Sequence, residues 1–166
     1  MKIKWVYPLL VLIVLIADQW SKWIVARTIP LNGSISVIPD FFDIVHVRNR
    51  GAIFGFFSGA ENSVVTIILT STSLAAFLLV VYYFFKTPAS EKLLKFSLTL
   101  IMAGAMGNLF DRIFRGYVID FLDVFIKRWH WPSFNIADSC ITVGALLLIY
   151  SFIFKGSSTC SPYSSK

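Results

Sequence analysis

Three of the aspartates could supply two carboxyl groups that share a proton. Asp120 and Asp123 are flanked by apolar residues, and Asp138 follows Asn135 at the start of a long apolar segment. Two carboxyl groups brought close in a partly dry site cannot easily both ionise, so one of them keeps its proton. Aspartic peptidase chemistry requires this arrangement, because the ionised carboxyl takes a proton from water while the protonated one polarises the scissile carbonyl.

The acidic residues also have ordinary structural explanations. Asp138 could simply stabilise the start of a helix, where the helix dipole favours a carboxylate. Asp18 has Lys22 four residues further on, on the same helical face, so the two could form an ion pair that only organises the fold. Asp111 and Arg112 could neutralise each other or support another group, and the sequence leaves both alternatives open.

Sequence signatures of other hydrolytic and nucleotide-binding sites are absent. There is no HExxH, GxSxG, P-loop or GxGxxG motif, and the two histidines, His46 and His130, are far apart. Cys140 lies in an apolar segment and is interpreted as a small hydrophobic residue, and it forms no CxxC motif with Cys160. We therefore predict neither a metal ion nor any other cofactor.

Four apolar segments must position these residues. The chain is 57% hydrophobic and only 14% charged, whereas about 25% of residues are charged in a typical soluble domain. Since a helix needs about 20 residues to cross a bilayer, we predict a mainly α membrane protein with one domain over residues 1–166. The predicted transmembrane helices cover about residues 6–24, 64–85, 93–110 and 137–154.

The alternating directions of four spans place nearly all the acidic residues at one face of the membrane. Of the nine Asp and Glu residues, only Glu91 falls at the opposite ends of the spans. This convergence predicts a site at the first face. The formal charge of +6 does not indicate nucleic-acid binding, because the basic residues are dispersed along the chain. The converging residues are Asp18, Asp40, Asp43, Glu61, Asp111, Asp120, Asp123 and Asp138.

The distribution of lysine gives an expected orientation. Lys and Arg are almost evenly divided between the two sides, but Lys2 and Lys4 precede the first span and the loop 86–95 is dense in lysine. The positive-inside rule then places both termini in the cytoplasm. The first apolar segment resembles a secretory signal peptide, but apolar residues resume after Asp18 without a cleavage motif, so we expect a retained helix.

The two outer segments are predicted to lie on the membrane surface. In residues 27–62, β-branched and aromatic residues alternate partially around Pro39-Asp40, which predicts a small strand-rich cap. Residues 118–131 mix apolar and charged side chains, which is typical of an element in the interface plane. The serine-rich tail, residues 156–166, is expected to be disordered. An aromatic belt at the interface would be formed by Trp20, Trp23, Trp129 and Trp131.

Five short blocks resemble, in order, the successive motifs of the bacterial lipoprotein signal peptidase family, also called the signal peptidase II family. They run from Asp18 to about Gly144, and the five together are highly specific although any one alone is weak. The one departure is Ile53, where the family more often has a small residue. The blocks are Asp18-Gln-Trp-Ser-Lys22, Asn49-Arg-Gly-Ala-Ile-Phe54, Gly107-Asn-Leu-Phe-Asp-Arg112, Val118-Ile-Asp-Phe-Leu-Asp123 and Phe134-Asn-Ile-Ala-Asp138.

The resemblance implies an aspartic endopeptidase of the bacterial inner membrane, with four transmembrane helices, a small periplasmic β-rich cap and an interfacial segment. Such an enzyme removes the signal peptide from prolipoproteins, cutting before a cysteine that carries diacylglycerol, and we expect a monomer in contact with membrane lipid. By match to the motifs, Asp120 and Asp138 would be the catalytic pair, and the choice of Asp120 over Asp123 or Asp111 rests on the resemblance. Residues that would bind substrate or support the site are Asp18, Lys22, Asn49, Gly51, Asn108, Asp111, Arg112 and Asn135.

Two other classes of function are compatible with the residue pattern. A small proton-coupled transporter would use Asp18 as its carrier, but such a carboxylate belongs near the bilayer midplane, and Asp18 lies towards the end of its span. A lipid-binding scaffold would not need paired carboxyl groups. Replacing Asp120 and Asp138 with Asn distinguishes these classes, because only a peptidase would lose its function.

Overall fold

The computed structural model describes residues 5–50 and 63–155, and these ranges contain four long helices. They are α1 (Val6–Thr28), α2 (Ser63–Lys86), α3 (Lys92–Arg115) and α4 (Ile136–Lys155). Each helix contains a segment long and apolar enough to cross a membrane, which confirms the four predicted spans. Gly51, Ile53, Cys160 and the tail 156–166 lie outside the described residues.

Two helices continue beyond their predicted ends at residues 24 and 110. α1 stops at Thr28 because Pro30 disfavours a helical conformation at Ile29, which is extended with φ −115° and ψ 125°. α3 stops at Arg115 because Gly116 adopts the left-handed conformation, with φ 76°. The predicted ends mark where the apolar residues stop, whereas the helices continue until a residue interrupts the backbone hydrogen bonding.

α3 is the central helix and packs against each of the other three. In the apolar stretch of α3 that could span the membrane, half of the residues are buried inside the protein, whereas none are buried in the corresponding stretch of α2. Glycines permit the close contact of α3 with α4. A Cβ atom on Gly104 would collide with the carbonyl oxygen of Ala137, and one on Gly144 would lie 2.8 Å from the carbonyl oxygen of Ser97. This packing fixes the start of α4 against the outer half of α3.

The outer segments form one antiparallel sheet with the strand order β1-β2-β3-β4. The strands are β1 (Ser34–Ile38), β2 (Phe42–Asn49), β3 (Val118–Ile126) and β4 (Trp129–His130). The predicted strand-rich cap is therefore confirmed within the described residues, and Asp40 occupies a turn with φ 61°. The segment 118–131, expected in the interface plane, belongs to this sheet, because β3 pairs with β2 from Val118 to Val124.

A small apolar cluster joins the sheet to the outer end of the helices. Val25 and Ile29, at the end of α1, pack against Phe121 of β3, and all three side chains are buried. Ile136, at the start of α4, packs on the same cluster. β3 therefore lies against the ends of α1 and α4. The tryptophans of the predicted belt are exposed, and their depth in a bilayer stays a prediction: Trp20, Trp23, Trp129 and Trp131.

Candidate active site

Asp120 lies on β3 with its side chain almost completely buried, at 2% exposure. Its carboxyl group accepts one hydrogen bond at each oxygen, and both donors are neutral amides. Asn49 Nδ2, from the paired strand β2, donates to Oδ2 at 2.9 Å, and Asn135 Nδ2 donates to Oδ1 at 2.7 Å. The sheet register brings Asn49 there, because Val47 is opposite Asp120 and Asn49 is opposite Val118.

Asp138 lies in the first turn of α4, where it forms a reciprocal cap with Asn135. Asn135 Oδ1 accepts the backbone N–H of Asp138 at 2.9 Å, and Asp138 Oδ2 accepts the backbone N–H of Asn135 at 3.3 Å. The other carboxyl oxygen, Oδ1, accepts Asn108 Nδ2 at 2.6 Å. The capping explanation for Asp138 is therefore correct for one oxygen, while the second oxygen faces the helix that carries Asn108.

Two asparagine side chains connect the carboxyl groups of Asp120 and Asp138. Asn135 Nδ2, which donates to Asp120, also lies 3.3 Å from Asn108 Oδ1, and Asn108 donates to Asp138. Lys22 Nζ donates to the same Asn108 Oδ1 at 3.1 Å. Because two donors face this oxygen, the amide of Asn108 cannot be flipped, and its N–H group must point towards Asp138. The structure thus assembles both predicted catalytic residues in one hydrogen-bonded group.

Burial changes the acidity of Asp120. Removal of the carboxylate from water is the main reason why the pKa of Asp120 rises from 3.8 to about 6. The nearby charge of Asp138 also raises this pKa, whereas hydrogen bonds from Asn49 and Asn135 and the charge of Lys22 lower it. A protonated carboxyl can donate a hydrogen bond, which an ionised one cannot do. Asp120 therefore has the property that the sequence analysis required of one member of the pair.

A second polar cluster, made of charged residues, lies between α1 and α3. Lys22 is fully buried, and its Nζ lies 2.7 Å from Asp18 Oδ2 and 2.7 Å from Asp111 Oδ2. This confirms the predicted pair of Asp18 and Lys22. Arg115 completes the cluster through an ion pair with Asp111 Oδ1. Asp18 Oδ1 also accepts the backbone N–H of Ala137 at 3.0 Å, so the cluster anchors the start of α4.

The alternative in which Asp111 and Arg112 neutralise each other is wrong. Adjacent residues of a helix face different directions, whereas residues four apart lie on the same side. Asp111 accordingly pairs with Arg115 and Lys22. Arg112 instead extends towards α2, where its Nη1 donates to Ser73 Oγ at 3.1 Å.

A cavity of about 260 Å³ opens beside Asp138, between α2, α3 and α4. Asn108, Arg112 and Asp138 form its polar part together with Ser73. Its remaining walls are apolar. The cavity therefore suits a peptide whose polar groups lie beside Asp138 and whose apolar side chains pack along the helices. The apolar lining residues are Ala76, Val80, Ile101, Ala105 and Ile141.

The other acidic and nucleophilic candidates lie apart from this group. Asp123 is three residues from Asp120 on the same strand, so the two side chains point to opposite faces of the sheet. Its Oδ2 pairs with His130 Nδ1 at 2.9 Å. Cys140 is half-buried on α4, in agreement with its interpretation as a small hydrophobic residue. Within residues 5–50 and 63–155, no three His, Cys, Asp or Glu side chains are arranged to hold a metal ion.

Sequence reasoning missed three polar residues that contact the site or its support. Arg115 could have been found from its spacing of four residues after Asp111. Gln19 Nε2 bonds Asp18 and Asp111, each at 3.2 Å, but nothing in the sequence singles it out. Ser73 ends a run of four hydroxyl residues in α2, Thr70-Ser-Thr-Ser73, and the sequence cannot say which of them faces inward.

The chain has clear relatives among known proteins. The family model described as Signal peptidase (SPase) II matches residues 10–154. A lipoprotein signal peptidase of Syntrophus aciditrophicus (strain SB) is 47% identical over 143 residues, which cover 86% of this chain and 89% of that protein. A lipoprotein signal peptidase of Francisella tularensis subsp. novicida (strain U112) is 40% identical over 148 residues, which cover 89% and 91% respectively.

Solved structures agree with this assignment. One structure, described as a bacterial membrane enzyme, superposes with a TM-score of 0.82 at 33% identity and covers 99% of this chain and 96% of its own. A second structure with the same description has a TM-score of 0.78 at 34% identity, covering 91% and 94%. The chain therefore belongs to the signal peptidase II family of proteases.

Proposed function

We propose that this chain is an aspartic endopeptidase that removes the signal peptide from prolipoproteins, cutting on the N-terminal side of a diacylglyceryl cysteine. Asp120 and Asp138 are its catalytic pair. One observation carries the assignment: both carboxyl groups belong to a single hydrogen-bonded group in which their donors are amides, and among the described residues no cation forms an ion pair with either of them. The names of the relatives supply the class of substrate.

The environments of the two carboxyl groups assign them different roles. We assign the role of base to Asp138, whose carboxyl oxygens accept N–H groups of Asn108 and Asn135 at the N-terminus of α4. Asp120 is the acid, since burial raises its pKa to about 6. Asp138 takes a proton from water as the water oxygen attacks the scissile carbonyl, and Asp120 donates to the carbonyl oxygen. The tetrahedral intermediate then collapses: the C–N bond breaks, the hydroxyl formed from the carbonyl oxygen returns its proton to Asp120, and the proton held by Asp138 passes to the departing amine.

The cavity beside Asp138 supports entry of the substrate from the bilayer. Its apolar walls lie within the candidate spans of α2, α3 and α4, and the apolar part of a signal peptide also belongs in the membrane. The acyl chains of the substrate also belong in hydrocarbon, where each buried methylene contributes about 0.8 kcal/mol. Asn108 and Arg112 are the polar groups available to the peptide backbone as it passes the catalytic pair.

The proposed location is the bacterial inner membrane, with both termini in the cytoplasm and the sheet in the periplasm. The chain acts as a monomer there. Lys86 at the end of α2 and Lys92 and Lys95 at the start of α3 support this orientation. A single cysteine introduced at the exposed Ser34, in a chain whose own cysteines are replaced, should react with an impermeant reagent on spheroplasts. Reaction at Ser90 instead of Ser34 would invert the orientation.

Cleavage of a purified prolipoprotein in detergent tests the proposed function. We compare a precursor that carries diacylglycerol on its cysteine with the same precursor lacking the lipid. The lipidated precursor should be cut before its cysteine, and the unlipidated one should be cut far more slowly. Equal rates would show that the lipid is not recognised. No cleavage of either precursor would overturn the function and favour a transporter or a scaffold.

A further inference from the structure

Ser73 makes the polar contact between α2 and the candidate site. Its hydroxyl donates to the backbone carbonyl of Leu69 at 2.7 Å, so its proton is used within α2. The oxygen is left as an acceptor, and Arg112 Nη1 occupies it at 3.1 Å. Thr72, the preceding residue, makes the same kind of bond to the carbonyl of Ile68 at 2.8 Å, but its side chain is exposed on the outside of the helix.

Arg112 and Asp138 line the same cavity without forming an ion pair in the part of the chain that the structure describes. Opposite charges attract strongly where water is scarce. An arginine can also bind both oxygens of a carboxylate at once. A free Arg112 would therefore be expected to turn onto Asp138 unless another contact held it towards α2. The bond to Ser73 is that contact.

We propose that Ser73 is a positioning residue that holds Arg112 against α2 and so keeps the carboxylate of Asp138 available to water. This inference rests on the proposed function, because it gives Asp138 the role of base. Without Ser73, Arg112 pairs with Asp138, and an aspartate bound by arginine is a poor acceptor for the proton of water. The guanidinium group of Arg112 would then also leave its position beside α2, from which it faces the substrate.

The test uses the full-length chain and the lipidated precursor. Ser73→Ala removes a hydrogen bond to the charged Arg112 and so should impair the action of Asp138 as the base. We therefore expect kcat to fall on the order of tenfold while KM changes little. Thr72→Ala is the matched control, since it removes an equivalent hydroxyl that does not touch Arg112, and it should keep the wild-type kcat. Ser73→Thr, which restores the acceptor oxygen, should recover most of the activity.

A double substitution separates positioning from packing. If Ser73 acts only through Arg112, then Ser73→Ala should cause no further loss in an Arg112→Gln chain. An additive loss in that chain would show that Ser73 serves helix packing, and it would overturn the inference. Equal kcat values for Ser73→Ala and Thr72→Ala would also overturn it, while leaving the proposed function intact. A wild-type chain that cuts no precursor would overturn both.

Discussion

Two groups of aspartates lie next to each other in this protein, and they differ in the charge of their hydrogen-bonding partners. In the ion cluster between α1 and α3, each carboxylate is bound by a cation, and the members are Asp18, Lys22, Asp111 and Arg115. In the proposed catalytic pair, Asp120 and Asp138, the side-chain donors are neutral amides, and they belong to Asn49, Asn108 and Asn135. In the ion cluster, cations cancel the charge of the carboxylates. In the proposed catalytic pair, the carboxyl groups remain available for proton transfer.

The comparison shows how a buried carboxyl group becomes either structural or chemical. A cation within hydrogen-bond distance favours the ionised form and fixes the group in place. An amide orients the carboxyl group but contributes no full charge, so burial can still favour the protonated form, as at Asp120. Asn108 connects the two groups, because its oxygen faces Lys22 and its N–H group faces Asp138. The ion cluster thus orients the amide that contacts the catalytic carboxylate.

The largest expected effect comes from removing either member of the catalytic pair. Asp120→Asn and Asp138→Asn should each lower the cleavage rate by about 10³-fold or more, because activation of water fails in both. Both variants should still purify as folded proteins, since asparagine keeps the shape of the side chain and one of its two acceptor oxygens. Asp123→Asn is the control and should be much milder, because its side chain points to the other face of β3 and binds His130. Near-normal turnover in Asp120→Asn or Asp138→Asn would contradict the assignment of these two residues as the catalytic pair.

The next effect falls on stability and comes from the ion cluster. Lys22→Met leaves two buried carboxylates without their shared cation, and loss of one partner from a buried pair typically costs about 3–5 kcal/mol. Thermal unfolding in detergent should therefore shift strongly downwards. Lys86→Met, at the exposed end of α2, is the control and should unfold like the wild type. Adding Asp111→Asn to Lys22→Met should recover part of the loss, and equal stability of Lys22→Met and Lys86→Met would contradict this account of the cluster.

The smallest expected effect is that of a chelator. The account uses no metal, and the described residues offer no group of ligands arranged for one. Dialysis against EDTA should therefore leave the rate of cleavage unchanged. A loss of activity that zinc restores would contradict the aspartic mechanism and would require ligands from outside the described residues.

Much of the fold could be predicted because length and hydropathy alone define a transmembrane helix. The pairing of β3 was harder to see. A strand with one buried face shows alternating polarity, but β3 uses both faces, with Asp120 towards Asn135 and Asp123 towards His130. Its sequence therefore lacks a clear period of two, and the segment was expected to lie in the interface plane instead.

The candidate site was predictable to the extent that local spacing or the family motifs describe it. Asp18 and Lys22 pair as their spacing of four residues predicts. The same rule, applied to Asp111, would have favoured Arg115 over Arg112. The contact of Ser73 with Arg112 joins residues far apart in the sequence, and it depends on how α2 is rotated against α3. No local pattern carries that information.

The central claim is that burial keeps a proton on Asp120 up to a pH of about 6, above the ordinary aspartate value of 3.8. Infrared spectroscopy measures the protonation state of Asp120 most directly, because a protonated carboxyl group has a carbonyl stretch that an ionised one lacks. The account predicts such a band in the wild-type protein, lost as the pH rises through about 6, absent in Asp120→Asn and retained in Asp123→Asn. A band that persists in Asp120→Asn, or a wild-type band lost near the ordinary aspartate value of 3.8, would contradict the account.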